Sequence, residues 1–152
     1  MAAAATNPNM GGAFDPTREI SQANLIESSK AVKSYGSSAA GVGYGAGAGG
    51  IVTQATNKST GVTLNRYSGA ITMNGAALND ATTVGFVVTN SCVEAGDAVI
   101  LNIKSDATVN SYIATVGAVS AGSFRVEVRN ISGGGLSEAI VLTFVVVKGV
   151  IT

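Results

Sequence analysis

Near residue 50 the chain changes texture, and that break limits its fold more than any other feature. A leader rich in Ala, Ser and Asn ends in the run Gly41-Val-Gly-Tyr-Gly-Ala-Gly-Ala-Gly-Gly50, and everything after it alternates as β-structure does. So few large apolar side chains cannot offset the conformational entropy of ordering the leader. It must gain order by lying on a partner. The sequence therefore divides into an arm with a glycine-rich hinge, residues 1–50, and a β-domain, residues 51–152, long enough for a single sandwich core.

Short β signals recur from residue 51 onward. The expected strands are Ile51–Thr56, Gly61–Asn65, Ala70–Met73, Thr82–Thr89, Asp97–Lys104, Ser111–Ala118, Ser123–Asn130 and Ser137–Val147. The fold class read from them is all-β: a single eight-stranded antiparallel β-sandwich or jelly roll behind an extended N-terminal arm. In Phe124-Arg-Val-Glu-Val-Arg129 the residues Phe124, Val126 and Val128 point one way and the charged residues the other. Val84, Phe86 and Val88 form a second inward set, and Val99, Leu101 and Ile103 a third.

The final strand breaks this rule. Ile140, Leu142, Phe144 and Val146 alternate with Val141, Thr143, Val145 and Val147, so both of its faces are largely apolar. Such a strand is either central and covered on both sides or part of a subunit interface, with Val141, Val145 and Val147 as the interface candidates. Ser120-Ala-Gly-Ser123 and Ser132-Gly-Gly-Gly-Leu136 supply the positive-φ positions of hairpin turns, the second of which would join the last two strands.

Charged residues make up 12% of the chain, about half of the ~25% usual for soluble domains. A surface so poor in charge points to burial against other chains. Nine basic and nine acidic residues balance, which leaves no basic stripe for nucleic acid and no polybasic segment for anionic lipid. The longest apolar run, Ala139 to Val147, is far short of the ~20 residues of a membrane span. The N-terminus lacks the basic and apolar regions of a signal peptide.

The search for chemistry yields little. Histidine is absent, which removes the usual general base, the Ser-His triad and the commonest metal ligand. Cys92 is the single cysteine, so no disulfide framework or cysteine-based zinc site forms within the chain, and it reads as a small half-buried side chain. The acids after residue 50 are scattered, and Asn79, Asp80, Glu94 and Asp97 are thin material for calcium. Gly45, Gly47 and Gly50 match a phosphate-cradling spacing, but the sequel is β-prone and not helical, so the run reads as a hinge. No cofactor, no metal and no catalytic residue is expected.

Within the arm, Asp15-Pro16 reads as a helix start, yet the residues to Lys33 define no firm apolar face, leaving a short helix and an extended strap equally open. The docking candidates are its largest apolar groups, Phe14, Ile20, Leu25, Ile26, Val32 and Tyr35. Arg18, Lys30 and Lys33 are candidates for pairing with carboxylates on a partner.

The stretch Gly49-Gly-Ile-Val-Thr-Gln-Ala-Thr-Asn-Lys-Ser-Thr-Gly-Val-Thr-Leu-Asn65, with Ser68-Gly-Ala-Ile-Thr-Met73, resembles small virion proteins of tailed bacteriophages. So do Val119-Ser-Ala-Gly-Ser-Phe-Arg-Val-Glu-Val-Arg-Asn130 and Gly135-Leu-Ser-Glu-Ala-Ile-Val-Leu-Thr-Phe144. The likeness spans residues 41–148 and is nearest to capsid cement or decoration proteins. That resemblance implies a non-enzymatic protein on the outer surface of the capsid, a homotrimer whose arm docks on the major capsid protein. It implies no nucleic-acid or membrane partner. The rival within the group is a tail-fibre or tailspike component that binds a host receptor or glycan, from which this chain departs in lacking long repeats and a coiled-coil stem.

Overall fold

The computed structural model describes residues 43–45, 47–105 and 108–151. The readings made for the arm up to Val42, including the helix start at Asp15-Pro16, lie outside the described residues. Gly43–Thr152 form one compact unit.

Eight strands follow one another: β1 (Gly49–Thr53), β2 (Val62–Thr63), β3 (Ser68–Thr72), β4 (Thr83–Thr89), β5 (Ala98–Ser105), β6 (Tyr112–Ser120), β7 (Ser123–Asn130) and β8 (Val141–Val147). They form two four-stranded sheets, ordered β1-β3-β8-β5 and β2-β4-β7-β6. No helix occurs among the described residues. The expectation of purely antiparallel strands is corrected, because β1 runs parallel to β3 and β2 parallel to β4. A parallel neighbour needs a crossover, and the chain provides one by changing sheets at every connection except β6 to β7.

That exception is the hairpin expected at Ser120–Ser123, where Ser120 pairs with Ser123 and Gly122 takes φ 80°. The hairpin expected at Ser132–Leu136 does not form. β7 already pairs with β4 and β6, and β8 with β3 and β5, so neither has a free edge for the other. The Gly-rich segment instead carries the chain between sheets. Asn130 braces it, its Nδ2 donating to the Leu78 and Gly134 carbonyls at 2.7 and 2.8 Å while its Oδ1 accepts from Ser132 N.

Inward side chains of both sheets join in one core. Phe86, Val88, Phe124, Val126 and Val128 from one sheet meet Ile71, Leu142, Phe144 and Val146 from the other, all at most 2% exposed. Phe124 and Phe144 meet across the gap with ring centroids 5.1 Å apart and planes tilted by 60°. Close approach sets one glycine: a Cβ on Gly69 would lie 2.6 Å from Leu64 Cδ2 and 3.0 Å from Phe144 Cε1.

The described end of the glycine-rich run is tied down. Gly49 and Gly50 belong to β1, and the Tyr44 ring stacks on Tyr67 with centroids 5.3 Å apart while its hydroxyl donates to the Val146 carbonyl.

Candidate functional site

Among the described residues no set of His, Cys, Asp and Glu side chains gathers as a metal site. What stands out is a contrast between the two outward faces. On the β7 sheet the central strand presents Arg125, Glu127 and Arg129, and Arg125 Nε donates to Glu127 Oε1 at 3.1 Å. This face is wet. A Cβ on Gly85 would meet Arg125 Nη2 at 2.2 Å, so the guanidinium lies over the strand where that glycine leaves room.

The β8 sheet is different. Its register aligns Gly49, Ser68, Val145 and Ile100 in one row and Ile51, Ala70, Thr143 and Asn102 in the next. Val147 pairs with Ala98 at one end, and Val141 pairs with Thr72 at the other. β1, β3 and β8 contain no charged residue, and the one charge of β5, Lys104, sits at its bulge.

The three interface candidates lie on this face, with Val141 half-buried and Val145 and Val147 exposed at 38% and 46%. β8 is thus central within its sheet, yet among the described residues only its core face is covered. Sequence reasoning missed Ile51 and Ile100, exposed at 85% and 59%. The sequence does carry a signal for Ile100, since it alternates with the inward set Val99, Leu101 and Ile103. The arm candidates Phe14, Arg18, Ile20, Leu25, Ile26, Val32 and Tyr35 lie outside the described residues.

Two polar clusters brace the ends of the fold. At one, Asp97 accepts from Lys148 Nζ at 2.6 Å, from Glu94 N at 2.8 Å and from Gly149 N at 3.1 Å. The Lys148 hydrogen bond, above all, holds the Asp97 carboxyl below its ordinary value of 3.8 and lifts Lys148 above 10.5. At the other, Glu138 accepts from Thr108 Oγ1 at 2.6 Å and from the Tyr112 hydroxyl at 3.0 Å. The Thr108 bond is the chief reason that its carboxyl sits below 4.5.

Both carboxyls bind protons less readily folded than unfolded, so their stabilisation is present above the unfolded values and is lost as pH falls through the folded ones. The melting temperature is expected to decline below about pH 4.5. Asp97→Asn and Glu138→Gln should each lower it at neutral pH and flatten that acid decline, as read by thermal melts from pH 7 downward.

Beside Glu138 lies Lys58, 4% exposed, whose Nζ donates to the Asn74 carbonyl at 2.6 Å and to the Glu138 carbonyl. Burial lowers its pKa, against the opposing charge of Glu138. Gln54 completes the cluster, donating to the Lys58 and Thr60 carbonyls and accepting from Asn74 N. Every polar side chain here has a partner and a loop to hold, the arrangement of a structural clamp.

No protein-family model, curated protein or solved structure matches the chain.

Proposed function

We propose that this chain is a non-enzymatic structural protein of a tailed-bacteriophage virion, a cement or decoration protein of the capsid's outer surface. Its arm docks on the major capsid protein and its β-domains associate with one another, three to a unit as the resemblance implies. The observation that carries this reading is the uncharged outward face of the β8 sheet, which a β-domain acting alone in water has no reason to maintain. The arm supplies attachment and the domain supplies contact between copies. Several tethered arms then sum modest contacts into tight binding through effective concentration.

Co-sedimentation with phage heads tests this. Removing residues 1–42 keeps Tyr44 and β1 in place and should leave the sheet signal in circular dichroism unchanged. Head binding should weaken on the order of 100-fold or more. Undiminished sedimentation of the truncated protein would sink the attachment role of the arm.

One observation favours the tail-fibre or tailspike alternative. Tyr44 and Tyr67 stack while remaining 43% and 40% exposed, which offers a ring surface on which a sugar could lie. Saturable binding to host polysaccharide, lost in Tyr67→Ala and accompanied by no affinity for heads, would select that reading.

A further inference from the structure

We infer that the free edge of β1 accepts, as an added strand, residues 20–26 from the arm of a second copy of this chain. The inference rests on the self-association just proposed and deepens it by naming the contact that joins the copies.

Two hydrogen bonds fix which way the β1 backbone points. Ser68 N donates to the Ala48 carbonyl at the start of the parallel ladder, and Gln54 N donates to the Thr72 carbonyl at its end. Bonds to a parallel neighbour fall on every second residue, so positions 48, 50, 52 and 54 face β3. The N–H and C=O groups of Gly49, Ile51 and Thr53 point the opposite way, and β1 is the last strand of its sheet. All three residues are exposed, Ile51 at 85%. Among the described residues no turn or loop backbone bonds to these groups.

The other three edges carry the devices that discourage strand addition. β2 is two residues long, β5 holds Lys104 at a bulge, and β6 is bulged between Val116 and Ala118. β1 has no charge, proline or bulge along its five residues. A row of alternating donors and acceptors matches one kind of partner, an extended polypeptide backbone.

Two observations say whose backbone it is. At the root of the chain's own arm, Ala48 N bonds back to the Gly45 carbonyl and the Tyr44 side chain reaches the Val146 carbonyl of β8. The chain therefore enters β1 from the side of β3 and β8, away from the open edge. Each copy also has one such edge and one arm. Giving a strand to the next copy and taking one from the previous copy fills every edge, and a head-to-tail contact of this kind closes into a ring, the threefold one included. The 42 residues before Gly43 can span roughly 140 Å, ample to reach a neighbour. Within them, residues 20–26 carry no charge, glycine or proline and hold three of the large apolar side chains of the arm, Ile20, Leu25 and Ile26.

Sedimentation velocity on the full chain from about 1 to about 100 µM, with hydrogen exchange read at individual amides, tests this. The expected result is a trimer in which the Ile51 and Thr53 amides are protected as ladder amides are. Ile51→Pro removes an N–H that the β1–β3 ladder does not use, and should move the assembly midpoint upward by roughly tenfold or more. Leu25→Pro lies outside the β-domain and should do the same, whatever Ile51→Pro does to folding. Ile51→Ala keeps the N–H and should leave the midpoint within about threefold. A chain that stays monomeric throughout this range overturns the inference. So do free exchange at both amides in the assembled chain, and an Ile51→Ala loss equal to that of Ile51→Pro. Head binding by a strictly monomeric chain would defeat the strand addition alone. An assembly with the expected dependence that ignores heads would defeat the capsid reading and leave the strand addition standing.

Discussion

Phe144→Ala is expected to cost about 3–5 kcal/mol, the range for deleting a buried aromatic from a packed core. Phe144 is 1% exposed on a central strand, and its ring meets Phe124 of the opposite sheet. Its Cε1 also closes over the backbone at Gly69, so a void would open both between the sheets and against β3. Small domains are stable by only ~5–15 kcal/mol in total, so this variant should sit near the margin of folding at 37 °C. Urea unfolding gives the readout, with the midpoint falling and the slope unchanged. The matched control is Val147→Ala, on the same strand but the outward face, which should stay within about 0.5 kcal/mol of the parent in dilute monomer. Equal losses from the two changes would mean that the inward and outward assignments of β8 are wrong.

That control depends on a distinction legible in the order of the residues alone. Period-two alternation places Val84, Phe86 and Val88, then Val99, Leu101 and Ile103, then Phe124, Val126 and Val128 toward the interior, and all of them face it. It marks β8 as exceptional, since both of its faces are largely apolar, and β8 is the strand that lies between β3 and β5 in its sheet.

Alternation cannot reveal which strand lies beside which. Side-chain periodicity fixes the face of each residue and is silent about the neighbour, so the parallel pairs β1–β3 and β2–β4 have no local signature. Turn chemistry misleads for a related reason. Ser132-Gly-Gly-Gly-Leu136 has the glycines of a hairpin, and Gly133 does adopt φ 83°, but a tight turn reverses direction without requiring that its flanking strands pair. The partners that β7 and β8 already hold decide the matter. Lys58 is illegible too. Asn57-Lys-Ser-Thr60 reads as a solvated turn, and only the fold reveals that the lysine reaches inward to carbonyls contributed by residues 74 and 138.

Lys58→Met is the second change of large expected effect. Methionine approximates the length of the lysine stem but cannot donate, so the half-buried carbonyls of Asn74 and Glu138 would lose their partner. At ~1–2 kcal/mol for each half-buried group left unpaired, the loss should be about 2–4 kcal/mol. A pH series tests the origin of that loss. Burial holds the folded pKa of Lys58 below 10.5, so between the folded value and 10.5 the unfolded chain carries more protons at this site than the folded one. Its contribution to stability therefore grows as pH rises through that interval. The neutral amine still has two N–H groups, enough for both carbonyls. Lys148 behaves oppositely, because its folded pKa is raised and its contribution fades above 10.5, but it is common to both proteins and cancels in their difference. The gap in urea midpoint between parent and Lys58→Met should thus widen from pH 7 toward about pH 10. A gap that narrowed would mean that the fold stabilises the ammonium ion, and that the pull of Glu138 outweighs the cost of burial.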